Sequence, residues 1–415
     1  MILTSILEGF CGEQGCGAVV LAGHRSGVAA RVGSVCVGGV GGGVNFGDSV
    51  EQAEFRGAVR EWIDGLLPFS EPPVDEDVYW DYLRVWHQAL YAAGFIGLTF
   101  PVEYGGRGLD ATFDAILLGE LGAAGAPPFW KSGYIARVLM EYGTDAQRAR
   151  YLVPALRSEE RWCQGFSEPD AGSDIAALRT RAVRDGDFYV VDGQKAWTSD
   201  AKWADQCLLL ARTDADVSAH RGISAFVVDL RTPGVTVRPF ENVIASFEFA
   251  EVFFDGARIP ASSMVGEPGD GWRIAMSTVA LERGPADNGF IAEHRRALRH
   301  LRDDDGACLD ERELVGLGRS IVNVEVLALH VSQTLWRRVH GGGSDAESSV
   351  DKLLMTATEQ ELSSFLRDVE WSRAVGGERS SALRNYLWSR AASIYGGTSQ
   401  VQRNIIASRI LGLPR

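Results

Sequence analysis

A chain of 415 residues is long enough for two or three packed units rather than one. Its 46% apolar and 23% charged residues are those of an ordinary soluble globular protein, and no run approaches the roughly 18 to 20 apolar residues of a membrane span. The net charge of −14 argues against a nucleic-acid partner, and any anionic ligand would need a local Arg cluster to offset the field.

Residues 1–43 are Gly-rich, nearly uncharged and without periodicity, so they read as a disordered extension. The start lacks the basic stretch and long apolar run of a signal peptide. Helical pattern begins at Ser49, with Gln52 completing a weak capping box and Phe55, Val59, Trp62, Ile63 and Leu66 at helical spacing. Further helices are expected over 79–93, 114–123, 132–142 and 145–158, with a glycine turn over Pro101–Gly108 among them. From about 161 the texture changes to strands. Segments 178–184 and 188–191 flank Asp185-Gly186, a hairpin signal, and strands follow at 207–212, 223–230, 235–239 and 247–254. After Gly271 the pattern is helical again, over 271–300 (interrupted near Pro285), 310–339, 349–368, 379–394 and 399–411. The expected fold class is therefore α+β: an α-helical N-terminal domain (44–160), a middle β-domain (161–270) and a C-terminal helical bundle (271–415). Of six cysteines, Cys11, Cys16 and Cys36 fall in the N-terminal stretch. Cys163, Cys207 and Cys308 read as small buried hydrophobes in a reducing cytoplasm, and no group has metal-ligand spacing.

Two segments carry chemistry. Cys163-Gln-Gly-Phe-Ser-Glu-Pro-Asp-Ala-Gly-Ser-Asp174 is turn-rich, with exposed hydroxyls expected at Ser167 and Ser173 and a Gly172-Ser173 step whose backbone N–H groups can approach an anion. Gly193-Gln-Lys-Ala-Trp-Thr-Ser199 puts Trp197 and Ser199 on one side of an extended segment, since side chains alternate along a strand. A flat aromatic and a hydroxyl beside an anion-cradling loop suit a planar heteroaromatic with a pyrophosphate tail. The bland alternative for Trp197 is a core aromatic.

These two segments closely resemble the signature of the acyl-CoA dehydrogenase family, and the resemblance runs from about Asn45 to Arg415. It implies FAD as cofactor, with Gln164, Phe166, Ser167, Gly172 and Ser173 along the isoalloxazine and ribityl chain. Trp197 would pack at the ring edge, with Thr198 beside it, and Ser199 would donate toward N5. Thr398 and Gln400 would meet the flavin from the C-terminal bundle. Ser173, Arg283 and Gly397 would contact the acyl-CoA substrate, Gly397 beside the acyl carbonyl. Many members carry the α-proton base as the Glu of a Tyr-Glu-Gly-Thr motif. This chain has Tyr395-Gly396-Gly397-Thr398, and Gly396 can abstract nothing. In another branch the base lies directly before a shared Arg, and the helix Val279-Ala-Leu-Glu-Arg-Gly284 puts Glu282 and Arg283 there. The bland reading of Glu282 is a solvated carboxylate in a charged pair.

Two features of the homotetrameric members are missing. An Arg-x-Gln/Thr-Phe motif and a Gln-x-x-Gly-Gly motif hold the ADP half of FAD across a subunit interface. This chain has Arg299-His-Leu-Arg-Asp-Asp-Asp-Gly306 and Ser363-Ser-Phe-Leu-Arg-Asp-Val369 in their places, and Gly376-Gly377 lies too close to Tyr395 to substitute. The resemblance thus implies an FAD-dependent acyl-CoA dehydrogenase, acting on fatty-acyl or steroid side-chain thioesters, in a homo- or heterotetramer with a paralogous chain. Electron-transferring flavoprotein would be its acceptor. A flavin monooxygenase or oxidase on the same fold, or a non-catalytic partner subunit, are the competing readings.

Overall fold

The computed structural model describes residues 47–128, 133–281, 286–303, 309–342, 345–373 and 381–414. The expectations for 1–43, Glu282, Arg283, Cys308 and Gly376-Gly377 lie outside them.

Five helices come first: α1 Val50–Asp64, α2 Glu76–Ala92, α3 Ala111–Ala124, α4 Gly133–Tyr142 and α5 Asp145–Leu156. The capping box expected at the start is formed. Ser49 N–H donates to Gln52 Oε1 at 2.9 Å, and Gln52 N–H returns a bond to Ser49 Oγ at 3.2 Å. A second box, Thr144 with Gln147, opens α5. Gln147 Nε2 also donates to the carbonyls of Ser262 and Met264, at 2.9 and 2.8 Å, so one cap side chain joins the helices to the β-domain.

The sheet of the middle domain has eight strands: β1 Trp162–Gly165, β2 Arg181–Asp185, β3 Phe188–Ser199, β4 Gln206–Arg212, β5 Ile223–Asp229, β6 Val235–Phe240, β7 Phe249–Pro260 and β8 Met264–Val265. Its order is β6-β7-β3-β2-β4-β5-β8, and β1 pairs in parallel with β4. The Asp185-Gly186 hairpin closes with Asp185 opposite Phe188. Both faces are covered, which explains the unbroken apolar run of β4. Leu208 and Leu210 face the helices of the N-terminal domain, whereas Cys207, Leu209 and Ala211 face a second core within the β-domain. The strand expectations needed correction: β1 and β8 were not foreseen, β2 is Arg181–Asp185 rather than 178–184, β3 runs to Ser199 rather than to 191, and β7 is Phe249–Pro260 rather than 247–254. β1 has a helix-neutral composition, and its strand state comes from pairing with β4.

The C-terminal domain contains α6 Gly271–Leu281, α7 Ala286–Asp303, α8 Glu311–Val339, α9 Ser348–Arg373, α10 Ser381–Ser389 and α11 Ser399–Ile405. Of the segment expected over 271–300, Gly271–Leu281 and Ala286–Asp303 are helical, and the interruption expected near Pro285 lies outside the described residues. The segments expected over 379–394 and 399–411 end in 3₁₀ and π turns, at Arg390–Ser393 and Ile406–Ile410. Helix α7 crosses α3 at two glycines. A Cβ on Gly122 would meet the carbonyl oxygen of Gly289 at 2.5 Å, so the two backbones touch. Helix α8 buries Leu317, Val324, Leu327 and Val331 in the bundle core. Leu314, Val315, Val322, Val326 and Leu329 are exposed on it. By length and composition alone α8 could cross a membrane, a feature that scanning for unbroken apolar runs passed over.

Candidate functional site

The loop after β1 and the end of β3 are joined at two levels. Ala196 N–H donates to the carbonyl of Ser167 at 2.9 Å. Beneath this contact Lys195 Nζ, wholly buried, lies 2.8 Å from Glu168 Oε1 and 3.1 Å from the carbonyl of Phe166. Glu168 also accepts the N–H groups of Arg179 and Thr180, at 2.7 and 2.9 Å. Burial pushes the Glu168 carboxyl up, but the Lys195 ammonium and these donors outweigh it and hold it below the usual glutamate range. Burial in turn pulls the Lys195 ammonium below its ordinary value against the opposing pull of Glu168, and the pair fixes the loop that carries Ser167 and Ser173. Neither Lys195 nor Glu168 was singled out from sequence. The available signal was one of only four lysines, set in a strand pattern between Gln194 and Ala196.

The end of β3 is not the regular alternation suggested by the sequence. Its register against β7 shifts between Lys195 and Thr198, and Trp197 has φ of 57°, a left-handed backbone that is costly for a bulky residue. The result presents Trp197 at 62% exposure while Thr198 is buried and Ser199 half-buried. Gly172 and Ser173 are exposed as expected; Ser167 is only partly so, because the loop folds back onto Ala196. Phe166 is buried and Gln164 half-buried. Two orphaned features stand out. The Thr198 hydroxyl is buried and makes no hydrogen bond within the described residues. Gly172 has nothing within 4 Å of where a Cβ would stand. Cys163 and Cys207 are free and buried beneath the site, and their mutual hydrogen bond, with burial, raises the Cys163 thiol well above its ordinary value.

The Trp197 ring lies edge-to-face on Phe240 and Phe249, at centroid distances of 5.1 and 5.6 Å. Phe249 stacks on Trp388 at 6.1 Å, and Trp388 lies 6.5 Å from Tyr395. An aromatic series thus links the end of β3 to the Tyr395–Thr398 turn of the C-terminal domain. Gly396 and Gly397 there have φ of 64° and 90°, which glycine adopts without strain. Thr398 caps α11 by accepting Val401 N–H at 3.2 Å, so its hydroxyl is engaged within the chain. Gln400, on the first turn of α11, is exposed. Gln402, wholly buried, donates through Nε2 to both the Gly396 and Gly397 carbonyls at 3.0 Å. The Tyr395 side chain is 44% exposed, so the desolvation that raises its hydroxyl above the ordinary value acts on a partly open group, and Glu359, Glu248 and Asp287 add to the rise. The stretch where an ADP-binding Arg was sought is differently built: Arg302 is paired with Asp303 at 2.7 Å. Ser363 is turned into the bundle, 2.7 Å from Ser389 Oγ.

Family models match nearly the whole described chain. The N-terminal domain of acyl-CoA dehydrogenases matches residues 49–159, the middle domain 163–257 and the C-terminal domain 269–411. The acyl-CoA dehydrogenase IpdE1 of Mycolicibacterium smegmatis is 39% identical over 393 residues, covering 88% of this chain and 99% of that protein. Its Mycobacterium tuberculosis namesake is 38% identical over 383 residues, covering 87% and 98%. Among solved structures, the ChsE4–ChsE5 complex of M. tuberculosis matches with a TM-score of 0.77 and 29% identity, over 90% of this chain and all of that one. The Tcur3481–Tcur3483 steroid acyl-CoA dehydrogenase matches with a TM-score of 0.78 and 28% identity, over the same shares. With its helical, β and helical domains each matched in order, the chain belongs to the acyl-CoA dehydrogenase family and is an oxidoreductase of that family.

Proposed function

We propose that this chain carries out FAD-dependent α,β-desaturation of an acyl-CoA thioester and works with a paralogous chain. The observation that carries the cofactor is the orphaned Thr198 hydroxyl beside an exposed Trp197 held in a left-handed backbone. A strained, exposed aromatic next to an unsatisfied buried hydroxyl is costly unless a ligand uses both. Gln164, Phe166, Ser167, Gly172, Ser173, Trp197, Thr198 and Ser199 fit the redox-active half of FAD, with Thr398 and Gln400 approaching from the other side. When bound, FAD would accept the β-hydride. Every other task falls to the chain. Glu282 removes the α-proton, Arg283 beside it in sequence moderates the rise that burial gives that carboxyl, and Ser173, Arg283 and the Gly397 region hold the thioester. Replacing Glu282 by Gln should lower turnover by about 10²- to 10⁴-fold, as for removal of a general base. Near-normal turnover would reject the assignment.

The adenine half of FAD is where a partner enters. The acidic residues that follow Arg302 would repel a pyrophosphate. Arg302 itself is engaged with Asp303. Two similar solved structures name two chains each, the ChsE4–ChsE5 complex and the Tcur3481–Tcur3483 steroid acyl-CoA dehydrogenase. The apolar stripe on α8 offers a surface for a second chain to cover. Expressed alone, the chain should be flavin-poor, and co-expression with a paralogue bearing both ADP-binding motifs should restore one FAD per site. A homo-oligomer fully loaded with FAD and active by itself would overturn this. Electron-transferring flavoprotein is the proposed acceptor and the cytoplasm the proposed location. The substrate is a fatty-acyl or steroid side-chain thioester.

A further inference from the structure

Position 396 has no side chain, so the space before the turn belongs to its neighbours. A Cβ built there would lie 3.7 Å from Lys352 Cε and 3.9 Å from Nζ, an ordinary contact. The same ammonium sits 4.0 Å from the centroid of the Tyr395 ring. Lys352 stands early in α9, whose start is anchored: its neighbour Asp351 is held by His330 Nδ1 at 2.7 Å and by the Thr334 hydroxyl at 3.2 Å. The carboxylates that act on Tyr395 are Glu359 from α9 itself, Glu248 ahead of β7 and Asp287 from α7.

We infer that Lys352 is a positioning residue for the reaction, its ammonium held on the Tyr395 ring to supply positive potential where negative charge develops on the acyl thioester. The inference rests on the reading that Gly397 lies beside the acyl carbonyl. In the step concerned the α-C–H bond breaks, its proton passes to the base carboxylate, and its electron pair moves onto the thioester oxygen. Lys352 keeps all its protons and acts through its field. Bracing the turn is already done by the two Gln402 hydrogen bonds, so a charged side chain there is more than a strut. A cation in a partly buried site is screened far less than one in water, so it acts over several ångströms.

The test uses the flavin-loaded complex with its partner chain and acetoacetyl-CoA, a thioester whose bound α-carbon can be titrated to the enolate by absorbance. Lys352→Met should keep flavin content and melting temperature. The pH midpoint of enolate formation should rise by about one unit and kcat should fall about tenfold, with KM changed less than about twofold. Lys352→Arg, which keeps the charge, should recover most of both. An unmoved midpoint in Lys352→Met overturns the inference. So does loss of fold or flavin in that variant, because the charge would then serve stability, and so does Lys352→Arg behaving like Lys352→Met. A wild-type complex that binds acetoacetyl-CoA without desaturating any acyl-CoA would instead break the activity on which the inference rests.

Discussion

Two turns flank the proposed flavin site, and they are held by opposite means. The loop from Gln164 to Ser173 is pinned by a buried ion pair, Glu168 with Lys195, with two backbone N–H groups completing the carboxylate's shell. The Tyr395–Thr398 turn is pinned by a neutral amide, Gln402, which spans two carbonyls. A buried pair contributes little net stability over an apolar replacement, yet breaking it by removing one partner is expensive, since the survivor is left charged and dry. An amide lost from this half-exposed turn strands two carbonyls but no charge. The first turn is therefore all-or-nothing, whereas the second can yield by degrees. That suits a division in which one turn presents the cofactor surface and the other accommodates the acyl group.

The largest expected effect breaks the first turn. Glu168→Gln or Lys195→Met alone should cost about 3 to 5 kcal/mol in unfolding free energy. The double replacement Glu168→Leu with Lys195→Met should cost clearly less than the sum, and additive losses in denaturant titrations would show that the pair is not coupled. The pair also sets a pH signature. Because the folded Glu168 carboxyl lies below its usual range, its stabilisation is present above the unfolded pKa of about 4.3 and lost as pH falls through the lower folded value. The deficit of Glu168→Gln against wild type should therefore shrink below about pH 4 and be constant from pH 5 to 8. A deficit that grows on acidification would reverse the assigned direction.

Trp197 is the intermediate case. Its ring is exposed and contributes little to the core, so Trp197→Ala should change stability by less than about 1 kcal/mol. Flavin affinity should fall about 10- to 100-fold, as for loss of an aromatic anchor. Equal losses in both would return Trp197 to a purely structural role. The smallest effect is expected at the second turn. Gln402→Met removes both hydrogen bonds, at about 1 to 3 kcal/mol, but also removes a buried Oε1 that has no partner, which brings the net toward 1. A cost matching that of Glu168→Gln would erase the difference between the turns.

Much of this was legible in the sequence because it is local. The Ser49–Gln52 capping box, the Asp185-Gly186 hairpin and the long amphipathic period of α8 depend on neighbours within a turn or two. The features that escaped are set by distant pairing. β1 is a strand because β4 lies beside it. Lys195 is buried because Glu168 faces it across 27 residues. Trp197 takes a left-handed backbone because β7 forces a register shift beneath it. In the candidate site, the groups that hold the loop and the turn in place, Glu168 with Lys195 and Gln402, were not singled out, because their hydrogen-bond partners show only in the fold. The regular-strand argument for Trp197 also assumed an alternation that the bulge interrupts.

The bare contact between α3 and α7 has a consequence for anyone recombining this chain with a relative. An alanine at position 122 would need roughly 1 Å more room than the Gly289 carbonyl leaves, and neither backbone can bend to give it. The slack would have to come from sliding α7 as a rod, and α7 starts only four residues after Glu282 and carries Asp287 near Tyr395. A grafted helical domain with that one extra methyl would thus misalign the proposed reaction centre from the far end of a lever. Its builder would see an inactive chimera with every catalytic side chain intact.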